Sequence, residues 1–423
     1  MCAWRGAMRL LSWTRNALTA SMLALAALTG CDDTGSNAEN ITDVQHTDVE
    51  RQSIGNCWLY ATASWVESMH LSRTGEAFDI SQSYWTYWHW YDEVINGFGD
   101  EIETGGSEGV SFQIIRERGL MAEADFIPED SVSEMSSRQS TALDKMNAEL
   151  KTGGRLDTAS KRSNRKLVRQ VLNDAWGLSE DVKKQLDTAF GTTGKRTYLT
   201  SATAKGTKII RAKDFTVRYT ERKTDPTVGT VKDTTLKVAV DEWRTAFYPF
   251  NKSDRRDFQI RVQKALHDRQ PVIVTWDVDF NAMESKKGPL QGSFNLDTLK
   301  AAGAPGRQGG HMTVLEDYEI TTQEFGLLKA GVTLDPSNAN DKKKLDAALL
   351  PSSVLKFLRI KNSWGALRDD RASAPGFPGY HDLYQPYLDG PIAFCPENEG
   401  TKTPSNCTGK TNPLSNMILP PGY

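Results

Sequence analysis

Cysteine is scarce in this chain, with five residues in 423. That is too few, and too scattered, for a disulfide-stapled small domain or a paired Cys-x-x-Cys metal site. Histidine is scarce as well: six residues, with no His-x-x-His or His-Glu-x-x-His spacing, so no metal is expected. No glycine-rich phosphate loop is present, because Gly105-Gly106 has no lysine at the required place. Neither sign of charge dominates. A net −3 gives no reason to expect nucleic acid as a partner. The one apolar run, Asn16 to Gly30, is too short for a comfortable membrane span. With 38% hydrophobic and 25% charged residues, collagen-like, disordered and polytopic membrane classes are excluded, and the length suggests two or three structural units.

What is present begins with an address. Arg5, Arg9 and Arg15 precede the apolar run without any acid, the pattern of a secretory signal over 1–30. Leu28-Thr29-Gly30-Cys31 resembles the bacterial lipobox, which implies lipidation of Cys31 and a protein held at the cell envelope, facing the periplasm or the exterior. An ordinary signal peptide with an incidental cysteine is the alternative. Cleavage would take the net charge from −3 to −6. Residues 31–46 are small and polar, as a flexible tether is.

Three segments carry chemistry. At Cys57 a polar, glycine-containing stretch gives way to helical apolar spacing (Trp58, Ala61, Trp65, Met69), which places the thiol in the first turn of a helix. There the dipole and free N–H groups favour a thiolate. His311 opens a strand-like run, Gly309 to Tyr318, and Asn362 follows another, Val354 to Ile360. Thiol, imidazole and amide in that order suit acyl transfer: the imidazole moves the proton and the amide holds the imidazole.

These segments resemble the papain-like cysteine peptidases. The likeness runs over Gln52–Trp58, Gly309-Gly310-His311, and Asn362-Ser363-Trp364-Gly365, with further agreement at Phe78–Tyr84, Thr104–Phe112, Ile114–Phe126, Ala265–Asp277 and Gly379-Tyr380. It covers roughly half the chain, in order. It implies an α+β, two-lobed fold: a helical lobe over 47–130 with Cys57 and a β-rich, barrel-like lobe over 236–390 with His311 and Asn362. It further implies Cys57 as nucleophile, His311 as base and acid, and Asn362 as the orienting residue. Gln52 becomes an oxyanion donor, Trp364 a shield over the His–Asn bond, and Gly105 and Gly106 a substrate-binding stretch. Gln52 stands one residue nearer the cysteine than the family pattern has it, with Arg51 in the usual place.

The implied activity is hydrolysis of a peptide or protein substrate through a thioester, with no cofactor. A transpeptidase, or an inactive peptide-binding lipoprotein of the same fold, is the alternative. Residues 131–235 read as a basic, mostly helical insertion; 131–214 holds 17 Lys and Arg against 9 Asp and Glu. Its helices are expected at Thr141–Lys151, Asn164–Trp176 and Ser179–Phe190. With Ser81-Gln82-Ser83-Tyr84-Trp85, it is similar to the bleomycin hydrolase and aminopeptidase C branch. The aromatic cluster Tyr84–Tyr91 is expected to pack between the lobes, and Thr321–Ser353 to loop out. Residues 391–423 are read as a tail in which Cys395 and Cys407 pair, contributing roughly 3 kcal/mol in the loop-entropy picture.

Overall fold

The structure, a computed structural model, describes residues 44–395 and 409–423, apart from 98, 196, 197, 333, 367 and 369. Its first helix, α1 (Cys57–Thr74), is buried nearly all round: Trp58, Leu59, Tyr60, Ala63, Trp65, Val66 and Met69 all face protein. Such a helix is a central element rather than a surface one. It stops at Gly75, whose φ of 75° lets its N–H return to the Leu71 carbonyl. The helix α2 (Gln82–Asn96) starts where the Ser81 hydroxyl accepts from the Tyr84 N–H. The helix α3 (Glu108–Arg118) follows the Gly105-Gly106 stretch.

The helices of the 131–235 segment form close to where their periodicity puts them, at Gln139–Leu150, Arg165–Trp176 and Glu180–Phe190. Asn164 and Ser179 cap the latter two. They share one hydrophobic core with α1 and α2. Trp176 lies 5.1 Å from Trp90, and Phe190 lies 4.6 Å from Trp88, between ring centroids. The aromatics of α2 therefore pack against this segment and not between the lobes, because their helix face is turned toward it. Several of the segment's cations are consumed internally. Arg169 is buried, donates to the Tyr87 hydroxyl at 2.7 Å and pairs with Asp187 at 3.0 Å. Arg155 bridges Glu149 and Asp174.

The strands are β1 (Thr216–Glu221), β2 (Thr230–Thr235), β3 (Arg244–Phe247), β4 (Val272–Asp279), β5 (Ser293–Phe294) and β6 (Gln308–Thr322), then β7 (Gly326–Leu328), β8 (Val354–Lys361), β9 (Tyr380–Tyr384), β10 (Ile392–Phe394), β11 (Gly409–Thr411) and β12 (Leu414–Leu419). β1 and β2 form a separate hairpin. The main sheet has eight strands in the order β3-β12-β4-β6-β8-β9-β5, with β7 on the far end of β6. The class is α+β, as the sequence implies. Two cores flank the sheet. Ile273, Met312, Val314 and Ile418 join the helical lobe's core. Val272, Val274, Trp276, Leu315, Met417 and Leu419 join the other. This is the period-two alternation of a sheet buried on both faces.

Two expectations are corrected. The end of the 391–423 segment is not a tail: Leu414, Met417 and Leu419 are buried in β12, which sits between β3 and β4. Residues 321–353 do not simply loop out; they contribute β7 and the helix Ala339–Ala348, whose Leu345 and Ala348 are buried. Because Trp176 is buried in the core of the helical lobe, Trp176→Ala is expected to cost about 3–5 kcal/mol by the cavity it leaves. Urea denaturation measures this; a loss below about 1 kcal/mol would show the helices around it to be detachable.

Candidate active site

Cys57 is the first residue of α1 and is half-buried. Asn56 before it does not cap the helix with its side chain. Its Nδ2 instead donates to Thr86 Oγ1 on α2 and to Gln139 Oε1, each at 3.1 Å. Gln139 also donates to Ser83 Oγ at 3.1 Å. The start of α1 is thus pinned from α2 and from the 131–235 segment. The thiol faces the backbone N–H groups of Met312, Trp58 and Cys57 itself. Met312 follows His311 on β6, so the sulfur lies against the strand that carries the histidine.

The sheet register brings the other two residues together. Val314 pairs with Lys361, so Asn362 leaves the end of β8 diagonally beside His311. His311 Nε2 lies 2.7 Å from Asn362 Oδ1. Trp276 stands directly opposite His311 on β4, with their rings edge to face at 5.7 Å. Trp364 stacks on the imidazole at 4.8 Å and 22°. Nε2 therefore donates inward to the amide, under an indole, and Nδ1 is the ring nitrogen left for chemistry.

Burial sets the protonation states. It pushes the Cys57 thiol above its ordinary value, and the N–H groups around the sulfur only partly oppose it. The thiolate favoured by a helix start alone is thereby outweighed, since desolvation of the anion is the larger effect. His311 is pushed down to about 4 by burial, against the opposing bond to Asn362. Thiol and imidazole are both favoured in their neutral forms.

The remaining expected residues are placed as follows. Gln52 donates from Nε2 to the Ile54 carbonyl at 2.8 Å, and its Oε1 accepts from Ser363 Oγ at 2.6 Å. It thus ties the segment before Cys57 to the segment after Asn362. Gly105 and Gly106 are exposed beside Trp58, whose Nε1 donates to the Thr104 carbonyl at 3.0 Å. A Cβ on Gly106 would come within 2.4 Å of the Trp58 ring, whereas one on Gly105 would meet open space. Cys395 is disulfide-bonded; Cys407 and Cys31 lie outside the described residues. Cys57 is a free thiol. Among the described residues, no three His, Cys, Asp or Glu side chains gather in a way that could hold a metal, and no helix is long and apolar enough to cross a membrane.

The structure adds residues that carry no signal in the sequence. His381, on β9, accepts at Nδ1 from Asn362 Nδ2 at 3.4 Å, so the amide is held between two imidazoles. Only the pairing of β8 with β9 reveals this, because His381 belongs to no motif of its own. Asn56 and Gln139 are likewise ordinary polar residues until the fold buries them together. Beneath Asn362, Lys361 donates to Thr47 Oγ1 at 3.1 Å, and Thr47 donates to Glu67 at 2.5 Å. Burial raises Glu67 to about 7 and depresses Lys361.

No family model and no curated protein matches the chain. Among solved structures it is similar to PepW from Lactobacillus rhamnosis, at 11% identity over 92% of this chain and 82% of that one, with a TM-score of 0.42. It is also similar to xylellain, a cysteine protease from Xylella fastidiosa, at 11% identity over 91% and 87% of the two chains, with a TM-score of 0.33.

Gly106→Ala should destabilise by about 1–3 kcal/mol by displacing Trp58, while Gly105→Ala stays within about 1 kcal/mol; equal melting temperatures for the two would refute the packing described. His381 is pushed down to about 3 by burial, so the unfolded chain binds its proton more readily between about pH 3 and 6.5. Its contribution is present above pH 6.5 and is lost as pH falls. Wild type should therefore gain stability relative to His381→Asn as pH rises from 4 to 6.5, with no further gain above. A stability gap independent of pH would mean that His381 is not buried neutral.

Proposed function

We propose that this protein is a papain-like thiol peptidase that cleaves amide bonds through an acyl-enzyme. The observation that carries the reading is the 2.7 Å bond from His311 Nε2 to Asn362 under Trp364. With Nε2 committed, Nδ1 is free to exchange a proton, and the strand that holds it also holds the N–H facing the Cys57 thiol. In this reading Nδ1 takes the thiol proton as Sγ attacks the carbonyl carbon. The tetrahedral oxyanion forms beside the Cys57 backbone N–H at the start of α1, where the helix dipole also favours negative charge. Nδ1 then gives the proton to the leaving amine, and a thioester remains. Water activated by the same nitrogen releases the acid and restores the thiol. The Asn362 amide keeps the ring in one orientation through all four proton movements, and His381 holds the amide.

Labelling with a thiol-directed epoxide tests this reading. Wild type should be labelled at Cys57, located by peptide mass mapping, and should cleave a peptide library. Folded His311→Ala should lose labelling and cleave about 10²–10⁴-fold more slowly. A folded wild-type protein that neither labels nor cleaves would refute the assignment and leave a peptide-binding module.

A further inference from the structure

Trp364 has a second side. Its ring lies 5.4 Å from Phe280, and the guanidinium of Arg371 sits 4.2 Å from the Phe280 centroid and 5.7 Å from that of Trp364. The row therefore runs His311, Trp364, Phe280, Arg371. Where it ends, an open cleft of about 500 Å³ begins, lined among others by Lys287, Gln291, Arg368, Asp370, Arg371 and Phe377. That volume suits a small ligand or a few residues of peptide.

The cleft is cationic. Its lining holds three cations, Lys287, Arg368 and Arg371, against one carboxylate, Asp370. Asp370 pairs with Arg368, at 2.6 Å from its Nε. Among the described residues Arg371 and Lys287 have no ion-pair partner, and Arg307, also unpaired, is close enough to act on Arg371 electrostatically. A half-buried guanidinium repelled by Arg368 and Arg307, with Asp370 shared between it and Arg368 as the offsetting charge, favours a further anion, and its aromatic bed limits the freedom it would lose in binding one. Across the site, Gly105 and Gly106 lie beside Trp58 on the helical lobe, next to Cys57. The cleft instead borders the far end of the row that begins at the imidazole, the group that in this reading hands a proton to the departing amine.

We propose that this cleft receives the part of the substrate that follows the scissile bond, and that Arg371 selects a carboxylate there. The assignment rests on the peptidase reading above. Through Trp364 the guanidinium is no more than about 11 Å from the imidazole, the reach of roughly three extended residues. The carboxylate comes from an acidic side chain within those residues or from a peptide C-terminus that falls there.

Three quenched peptides, identical up to the scissile bond, separate these sources. One has Glu in the first three following residues and an amidated end, one has Gln there and an amidated end, and one has Gln there and a free C-terminus. Wild type should prefer one or both carboxylate-bearing peptides over the neutral one by about tenfold in kcat/KM, with the preference shrinking as salt rises. Preference for the first alone assigns a side-chain carboxylate, and for the third alone a C-terminal one. Arg371→Glu should abolish the preference, and Arg371→Gln, which keeps more of the packing on Phe280, should reduce it. Equal cleavage of all three by wild type, or a preference unchanged in Arg371→Glu, would overturn the assignment while leaving the peptidase reading intact. If no peptide is cleaved and Cys57 is not labelled by the epoxide, the peptidase reading fails, and equilibrium binding decides the cleft. The Glu-containing product peptide should then bind wild type more tightly than Arg371→Glu; equal affinity would overturn the cleft as well.

Discussion

The placement of β6 between β4 and β8 governs everything else in this molecule. Residues of one fifteen-residue strand enter two different cores, Met312 and Val314 on the helical side, Leu315 and, past a register shift at Leu315/Asp317, Tyr318 and Ile320 on the other. A slip of one residue would exchange the two sets and bury each against the wrong surface. The same register sets His311 opposite Trp276 and brings Asn362 off the end of β8 beside it. The geometry of the site is therefore held by the hydrophobic demands of the sheet, far more strongly than by the polar contacts within the site.

Those polar contacts have a different task. In a site walled by Trp276 and Trp364, unpaired donors are costly and unpaired ionic forms costlier. His311, Asn362 and His381 answer this by sharing hydrogen bonds in a short chain. Gln52 and Ser363 join the segment before the thiol to the segment after the amide, and Asn56 with Gln139 fixes the start of α1 from behind. Under the site, Lys361 and Glu67 are linked through Thr47. The two lobes meet through buried polar bridges at the very place where the chemistry requires fixed distances.

Much of this is legible in the sequence, for identifiable reasons. Cys57, His311 and Asn362 stand at the borders of strongly patterned segments, so the elements that carry them can be named from residue spacing alone. The helices at 139–150, 165–176 and 180–190 announce themselves through their caps and apolar spacing. What cannot be read depends on partners distant in the chain. Short alternating runs such as 414–419 do not reveal their neighbours, so β12 passes for a tail. His381 and Gln139 gain meaning only from what lies across from them. At Cys57 the helix start is visible in the sequence, whereas the burial that raises the thiol against it is not.

The position of β12 carries a consequence for how the chain comes to be active. β3 and β4 both pair with it and not with each other. During synthesis, residues 244–247 and 272–279 emerge long before residues 414–419, so each presents an open edge toward a gap that the last-made strand must fill. β4 is also the strand on which His311's partner Trp276 stands. A chain cut short after Tyr384 would hold every residue of the proposed chemistry and still lack the slat that closes the sheet beneath it. The order of manufacture thus works as an interlock: Cys57 is made early, and the strand that completes the sheet behind His311 follows much later.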